Sequence, residues 1–170
     1  MRSRVGIGLV IAGVVVLGVA GIGIALRHGD TRLPTSLDDF GGVAVTIRPE
    51  TGSPRSTCML EATTPAEHQR GLMTVTDPGL HGHDGMIFVY RQDAYDTYWM
   101  RNTPMPLSIA FVDVGGRIVS TADMSPCGDR TDCPVYPAAG PYRYAVEVPK
   151  GRLARLGLTG HARIHVGGAC

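Results

Sequence analysis

The chain is short of aromatic residues, with one Trp, three Phe and six Tyr among 170 residues. It also lacks the common signatures of catalysis. There is no G-x-S-x-G elbow, no P-loop, no H-E-x-x-H pair and, outside one apolar stretch, no Gly-rich dinucleotide fingerprint. An enzyme is not thereby excluded, but no cofactor is implied. No strong charge of either sign is present, the formal net charge being +1, which argues against a nucleic-acid partner that would need a basic surface. There are no repeats or low-complexity tracts, and 44% hydrophobic residues are ordinary for a folded protein.

What is present, first, is a charge-free run. Val5 to Leu26 comprises 22 residues. As a helix it would reach about 33 Å at about 1.5 Å per residue, enough for a hydrocarbon core of about 30 Å. A cleaved signal has a shorter apolar core of about 7 to 15 residues. Residues 1–26 are therefore read as a membrane anchor, with cleavage after Ala20 as the alternative left open by the small residues Gly18 and Ala20. Arg2 and Arg4 on one side balance Arg27 and Arg32 on the other, so the basic-residue rule does not decide orientation. Removing 26 of the 170 residues leaves 144, room for one domain. Without Arg2 and Arg4, 14 basic residues face 15 acidic ones.

Residues 27–42 mix charges, Pro, Gly and Ser without a period and read as a tether. From 43 to 170 a single β-rich domain is expected. Short β-branched and aromatic runs bounded by Gly or Pro predict strands over Val43 to Ile47, Thr57 to Ala62, Met86 to Tyr90, Thr97 to Met100, Ile109 to Val114, Arg117 to Thr121, Tyr144 to Val148 and Ala162 to Val166. Gly115-Gly116 between two of them predicts a hairpin. Thr64-Pro65-Ala66-Glu67 is a capping box with Pro at the first helical position, opening a helix to about Leu72. A second short helix over Gly151 to Leu156 stops at Gly157. The expected architecture is a compact antiparallel β barrel-like domain with two short helices, of the mainly β (α+β) class.

None of the four cysteines forms a C-x-x-C pair. Cys127 and Cys133 flank a polar, turn-rich segment that brings the sulfurs together, and in an oxidising compartment a disulfide is expected. This cysteine usage is what places the domain on the extracytoplasmic side. Cys58 and Cys170 either form a second disulfide joining the first and last strands or remain a buried thiol and a free one.

Trp99 to Leu107 is the most informative segment, because the sole Trp and the sole Asn of the chain, Asn102, fall within it. Asn102 suits left-handed turn geometry, a purely structural use. The functional alternative is a shallow polar site. Arg101 would offer planar donors, Asn102 mixed donors and acceptors, Thr103 a hydroxyl and Trp99 an aromatic wall, with Asp84, Asp113 and Tyr136 contributing if the fold brings them near. His81 and His83, beside Asp84, are the nearest approach to a metal cluster. A solvated loop accounts for them equally simply. Six methionines, Met59, Met73, Met86, Met100, Met105 and Met124, invite a copper reading, but each lies in or beside an apolar segment where Met fills core gaps.

Arg70-Gly71-Leu72-Met73, Asp84 to Val89, Trp99 to Thr103 with Pro106-Leu107, Ile109 to Asp113, Cys127 to Tyr136 and Tyr144 to Val148 follow one another as in a prokaryotic family catalogued as domain of unknown function 192, which the chain resembles over about residues 57–166. The resemblance implies a β-rich, barrel-like domain, often exported, with no agreed reaction. Relatives commonly carry Lys where Arg101 stands and an acidic residue where Ser108 stands, so a carboxylate mechanism at 108 fails here. Together these features point to a membrane-tethered envelope domain that binds a small or peptidic ligand through Trp99 to Thr103. The alternatives are a hydrolase using Asp84 or Asp113, and a Met/His copper-binding protein.

Overall fold

Residues 33–170 are described here by a computed structural model. Val5 to Leu26 lies outside the described residues, and among those described no helix is long and apolar enough to cross a membrane. The strands are β1 (Gly41–Arg48), β2 (Arg55–Ala62), β3 (Gly85–Ala94), β4 (Tyr98–Trp99), β5 (Leu107–Val112), β6 (Ile118–Met124), β7 (Val135–Tyr136), β8 (Tyr142–Pro149) and β9 (Arg163–Val166). The helices are α1 (Pro65–Arg70) and α2 (Arg152–Leu156).

Seven strands form one sheet in the order β6-β5-β8-β3-β2-β1-β9, and β4 pairs with β7 in a separate ribbon. The expectation of an antiparallel sheet needs one correction, because β2 and β3 run parallel, Met59 opposite Gly85 and Ala62 opposite Phe88. Parallel neighbours cannot be joined by a tight turn. The connection over 63–84 carries α1, capped by Thr64 and Glu67 as the capping box predicts, across the sheet. The Gly-Gly hairpin joins β5 to β6, where Arg117 N–H donates to Asp113 Oδ1 at 2.9 Å.

The sheet curls into a half-barrel whose two edges touch at one bridge, Arg117 opposite Arg163, with Ile164 N–H donating to Gly116 O at 2.8 Å. Gly116 is required there. Its φ is +77°, and a Cβ would lie 2.1 Å from Ile164 O.

Both sheet faces are buried. One face gathers Val45, Ile47, Met59, Ile87, Val146 and Val148 and is closed by Leu153 of α2. The other carries Leu60, Met86, Phe88, Ile109, Phe111 and Tyr142 and is roofed by the connections over 63–84 and 95–106. Leu37 and Phe40, at the end of the segment read as tether, are buried in this second core. The folded unit therefore begins before residue 43. β5 is buried at all six positions, the pattern of a strand covered on both sides.

Cys127 is bonded to Cys133, and Cys58 to Cys170. The second bond resolves the alternative left by the sequence. It ties the end of the chain beside Gly42 on β1, whose Cα hydrogen faces both sulfurs.

Candidate functional site

β8 is central, between β5 and β3, and Glu147 lies in its C-terminal half. Its neighbours across the sheet are Met86 and Ile109, both fully buried, and only 4% of Glu147 is exposed. No hydrogen bond from any described residue reaches its carboxyl, and burial alone pushes that carboxyl up to about 8. An ionised carboxylate in such surroundings is strongly disfavoured unless something pairs with it. The strand backbone is held where it is by Gly85 on β3. A Cβ on Gly85 would sit 2.5 Å from Glu147 O, so no other residue allows β3 and β8 this approach.

Glu147 lines a cavity of about 130 Å³. Phe88 and Tyr90 of β3 and Tyr98 and Trp99 of β4 form aromatic walls, and α1 with its following turn supplies His68, Arg70 and Leu72. Phe88 meets Tyr98 edge to face at 5.2 Å between centroids, and His68 lies 4.5 Å from the Tyr90 ring. The Tyr90 and Tyr98 hydroxyls are bonded to each other at 2.9 Å. Burial, then the charges of Tyr90 and Glu147, pushes the Tyr98 phenol well above its ordinary value. Across His68, Gln69 and Tyr90 the cavity adjoins a wider, mostly apolar groove of about 680 Å³ that passes Thr64 and Arg91. A buried acid at the bottom of an aromatic recess can hold a proton, donate it in a hydrogen bond, or ionise against an incoming cation.

The sequence model of the family DUF192, described as an uncharacterized ACR, matches residues 46–166. The chain belongs to the DUF192 family. A protein of unknown function from Novosphingobium aromaticivorans DSM 12444, solved as a crystal structure, is similar at 34% identity with a TM-score of 0.61, over 72% of this chain and 84% of that one. A protein from Sinorhizobium meliloti 1021, provisionally described as a transcription regulator, shares the fold at 22% identity and a TM-score of 0.62, over 75% of this chain and 95% of that one. No curated protein of known function matches.

The DUF192 segment Trp99 to Thr103 contributes to the cavity unevenly. Trp99, 44% exposed, and Thr103, 5% exposed, line it. Arg101 turns instead to Asp129, its Nη2 at 2.6 Å and Nε at 2.8 Å from Oδ1, while its guanidinium lies 5.8 Å from the centroid of the Trp99 ring. Asn102 adopts φ +55°. Its N–H donates to Gly128 O at 3.2 Å and its carbonyl accepts from Thr74 N–H at 2.7 Å. These two residues dock the segment onto the loop closed by Cys127 and Cys133. Tyr136 pairs with Tyr98 in the β4–β7 ribbon, its hydroxyl accepting from Ser125 N–H at 3.0 Å.

Asp84 and Asp113 do not share the cavity. Asp84 accepts a hydrogen bond from the Thr57 hydroxyl, and its N–H donates to Cys58 O at 2.9 Å. Asp113 organises the β5–β6 turn. His81 Nδ1 pairs with Asp38 at 2.9 Å and His83 Nδ1 with Leu80 O at 3.0 Å. Among the described residues no group of three His, Cys, Asp or Glu side chains is placed to hold a metal. Five methionines, all but Met73, are buried in the two cores. Ser108 donates to Asp123 Oδ1 at 2.6 Å and accepts from Gly151 N–H at 3.1 Å.

Glu147 is the residue that sequence reasoning missed. Its signal was a charged side chain inside Tyr-Ala-Val-Glu-Val-Pro, where both alternating sets of positions are otherwise apolar. Such a strand is covered on both faces, and its one acid then has no route to water except a cavity.

Proposed function

We propose that this DUF192 protein is a membrane-tethered envelope domain that binds a small or peptidic ligand, and that the ligand enters the cavity above Glu147. The observation that carries the proposal is Glu147, a residue 4% exposed whose carboxyl has no hydrogen-bond partner among the described residues, lining a cavity with aromatic walls. An acid in a cavity with converging polar groups is an ordinary mark of a binding site. The cavity offers a single carboxyl, and of its two aliphatic hydroxyls Thr103 donates to Arg101 O at 3.3 Å while Thr97 has no hydrogen bond to a base among the described residues. That composition favours binding over hydrolysis. The extracytoplasmic location is supported by the two disulfides, which persist in oxidising compartments, and by the charge-free run Val5 to Leu26.

Native mass spectrometry of the full chain, extracted in mild detergent without chelator or affinity metal, tests the binding reading. The expected result is an organic adduct on the wild type that is lost in Glu147→Gln and kept in Arg101→Ala. An adduct that survives Glu147→Gln, or no retention of any compound from a cell extract together with an unchanged Trp99 emission, would overturn it. A C-terminal reporter enzyme that is active only outside the cytoplasm tests the location, and activity confined to a cytoplasmic reporter would refute it.

A further inference from the structure

The cationic side-chain donors around the cavity are engaged. Arg70 directs its guanidinium to Pro34 O, Gly71 O, Met73 O and Thr74 Oγ1. His68 Nε2 donates to Ala62 O at 3.0 Å, since a carbonyl can only accept. The Thr103 hydroxyl donates to Arg101 O, and the Tyr90 and Tyr98 hydroxyls are bonded to one another. The Gln69 amide, the Thr97 hydroxyl and the Trp99 indole N–H, all on exposed residues, have no partner among the described residues, and the Tyr90–Tyr98 pair leaves one O–H over. What remains inside is Thr103 Oγ1 as an acceptor and the Glu147 carboxyl, a donor while protonated and an acceptor once ionised, among the rings of Phe88, Tyr90, Tyr98 and Trp99.

An anion would meet an acid that it would have to keep protonated, aromatic rings and, in the interior, only neutral donors, the Glu147 O–H and one tyrosine O–H. A cation meets the opposite conditions, because aromatic faces carry negative quadrupole density and attract ammonium groups. A carboxyl without a partner supplies the counter-charge once it ionises. The volume of about 130 Å³ admits a small group. We propose that the group seated against Glu147 is a primary ammonium at the end of a short aliphatic chain, as on a free alkylamine or a lysine side chain. This deepens the binding reading above and rests on it. The other charged or titratable groups facing the cavity are His68, Arg70, Tyr90 and Tyr98.

On seating, the protonated carboxyl gives up its proton to solvent and the resulting carboxylate pairs with the ammonium. No covalent bond forms. Because burial holds the empty carboxyl protonated up to about pH 8, association at pH 7 should release about 0.9 proton.

The test compares propylammonium, propanol and propionate on the full chain in detergent. Trp99 emission gives the affinity, and calorimetry in two buffers of different ionisation enthalpy gives the proton count. Propylammonium is expected to bind at least tenfold more tightly than propanol, with proton release. Glu147→Gln, nearly the same shape, should abolish both the preference and the release, and Glu147→Asp should retain part of each. Equal or tighter binding of propanol or propionate would overturn the ammonium assignment while leaving the cavity as a binding site. If none of the three binds, the assignment fails, and the native mass measurement decides independently whether the cavity reading fails with it.

Discussion

Replacing Glu147 by Gln keeps the shape of the side chain and removes its titration, which makes the pH dependence of stability the sharpest check on its environment. In the folded protein the carboxyl ionises at about 8, against an ordinary value of 4.5. Between those values the folded chain holds a proton that the unfolded chain has lost. The stability contributed by the protonated acid is therefore complete below about pH 4.5 and disappears as the pH rises through 8. From pH 5 to pH 8 the loss is roughly 3 to 4 kcal/mol, from about 1.36 kcal/mol per pH unit for one proton. With a urea dependence of about 2 kcal/mol per molar, the unfolding midpoint of the wild type should fall by nearly 2 M across that window relative to Glu147→Gln. Urea titrations of both proteins at four pH values, disulfides intact, measure this directly. Parallel pH profiles would refute the claim that Glu147 is buried without a partner.

Gly116→Ala should lower stability by more than about 2 kcal/mol and raise the amide exchange of Ile164, because it places a Cβ on Ile164 O at a positive φ; thermal melts and hydrogen exchange read both. In the loop-entropy model, removing the Cys58–Cys170 bond, with 112 residues of separation, should cost about 5 kcal/mol, and removing Cys127–Cys133, with a separation of 6, about 2 kcal/mol. Urea midpoints of the Cys→Ser pairs give that order, and the reverse order would show that strain or residual unfolded structure dominates. Arg101→Ala should change stability by less than about 1 kcal/mol, since its partner Asp129 is 67% exposed. It should leave propylammonium binding within about twofold, checked by Trp99 emission.

Most of the strands were legible because they are short, β-branched and bounded by Gly or Pro, and both helices because their caps are written locally in Thr64-Pro65-Ala66-Glu67 and Gly157. Sheet order was not. Nothing between residues 63 and 84 announces that β3 returns parallel to β2, because pairing depends on which apolar faces meet and not on local propensity. The ribbon strand Val135–Tyr136 is two residues long and owes its geometry to Tyr98 and Trp99 opposite. At the site, Trp99 and Thr103 of the aromatic and polar cluster line one wall of the cavity. Arg101 and Asn102 were equally conspicuous, yet they serve the segment's own docking. Glu147 was hidden by its position 44 residues after Thr103, the separation their numbers give, and by a strand that looks like ordinary core.

The place of β8 in the sheet has a consequence for the order in which the molecule is assembled. β1, β2 and β3 can associate as one half, and β5 with β6 as another, but β3 and β5 have no common border until β8 slides between them. Up to that moment each half displays an open apolar edge. Such long-range insertion is slow and exposes chains to mispairing. The strand that closes this seam is also the one that carries Glu147, so the recess acquires its acid in the same event that makes the sheet continuous. A chain stalled before Tyr142 would present two adhesive edges and a cavity without its charge. The closing of this seam and the completion of the recess are then one kinetic event, which stopped-flow Trp99 emission can time.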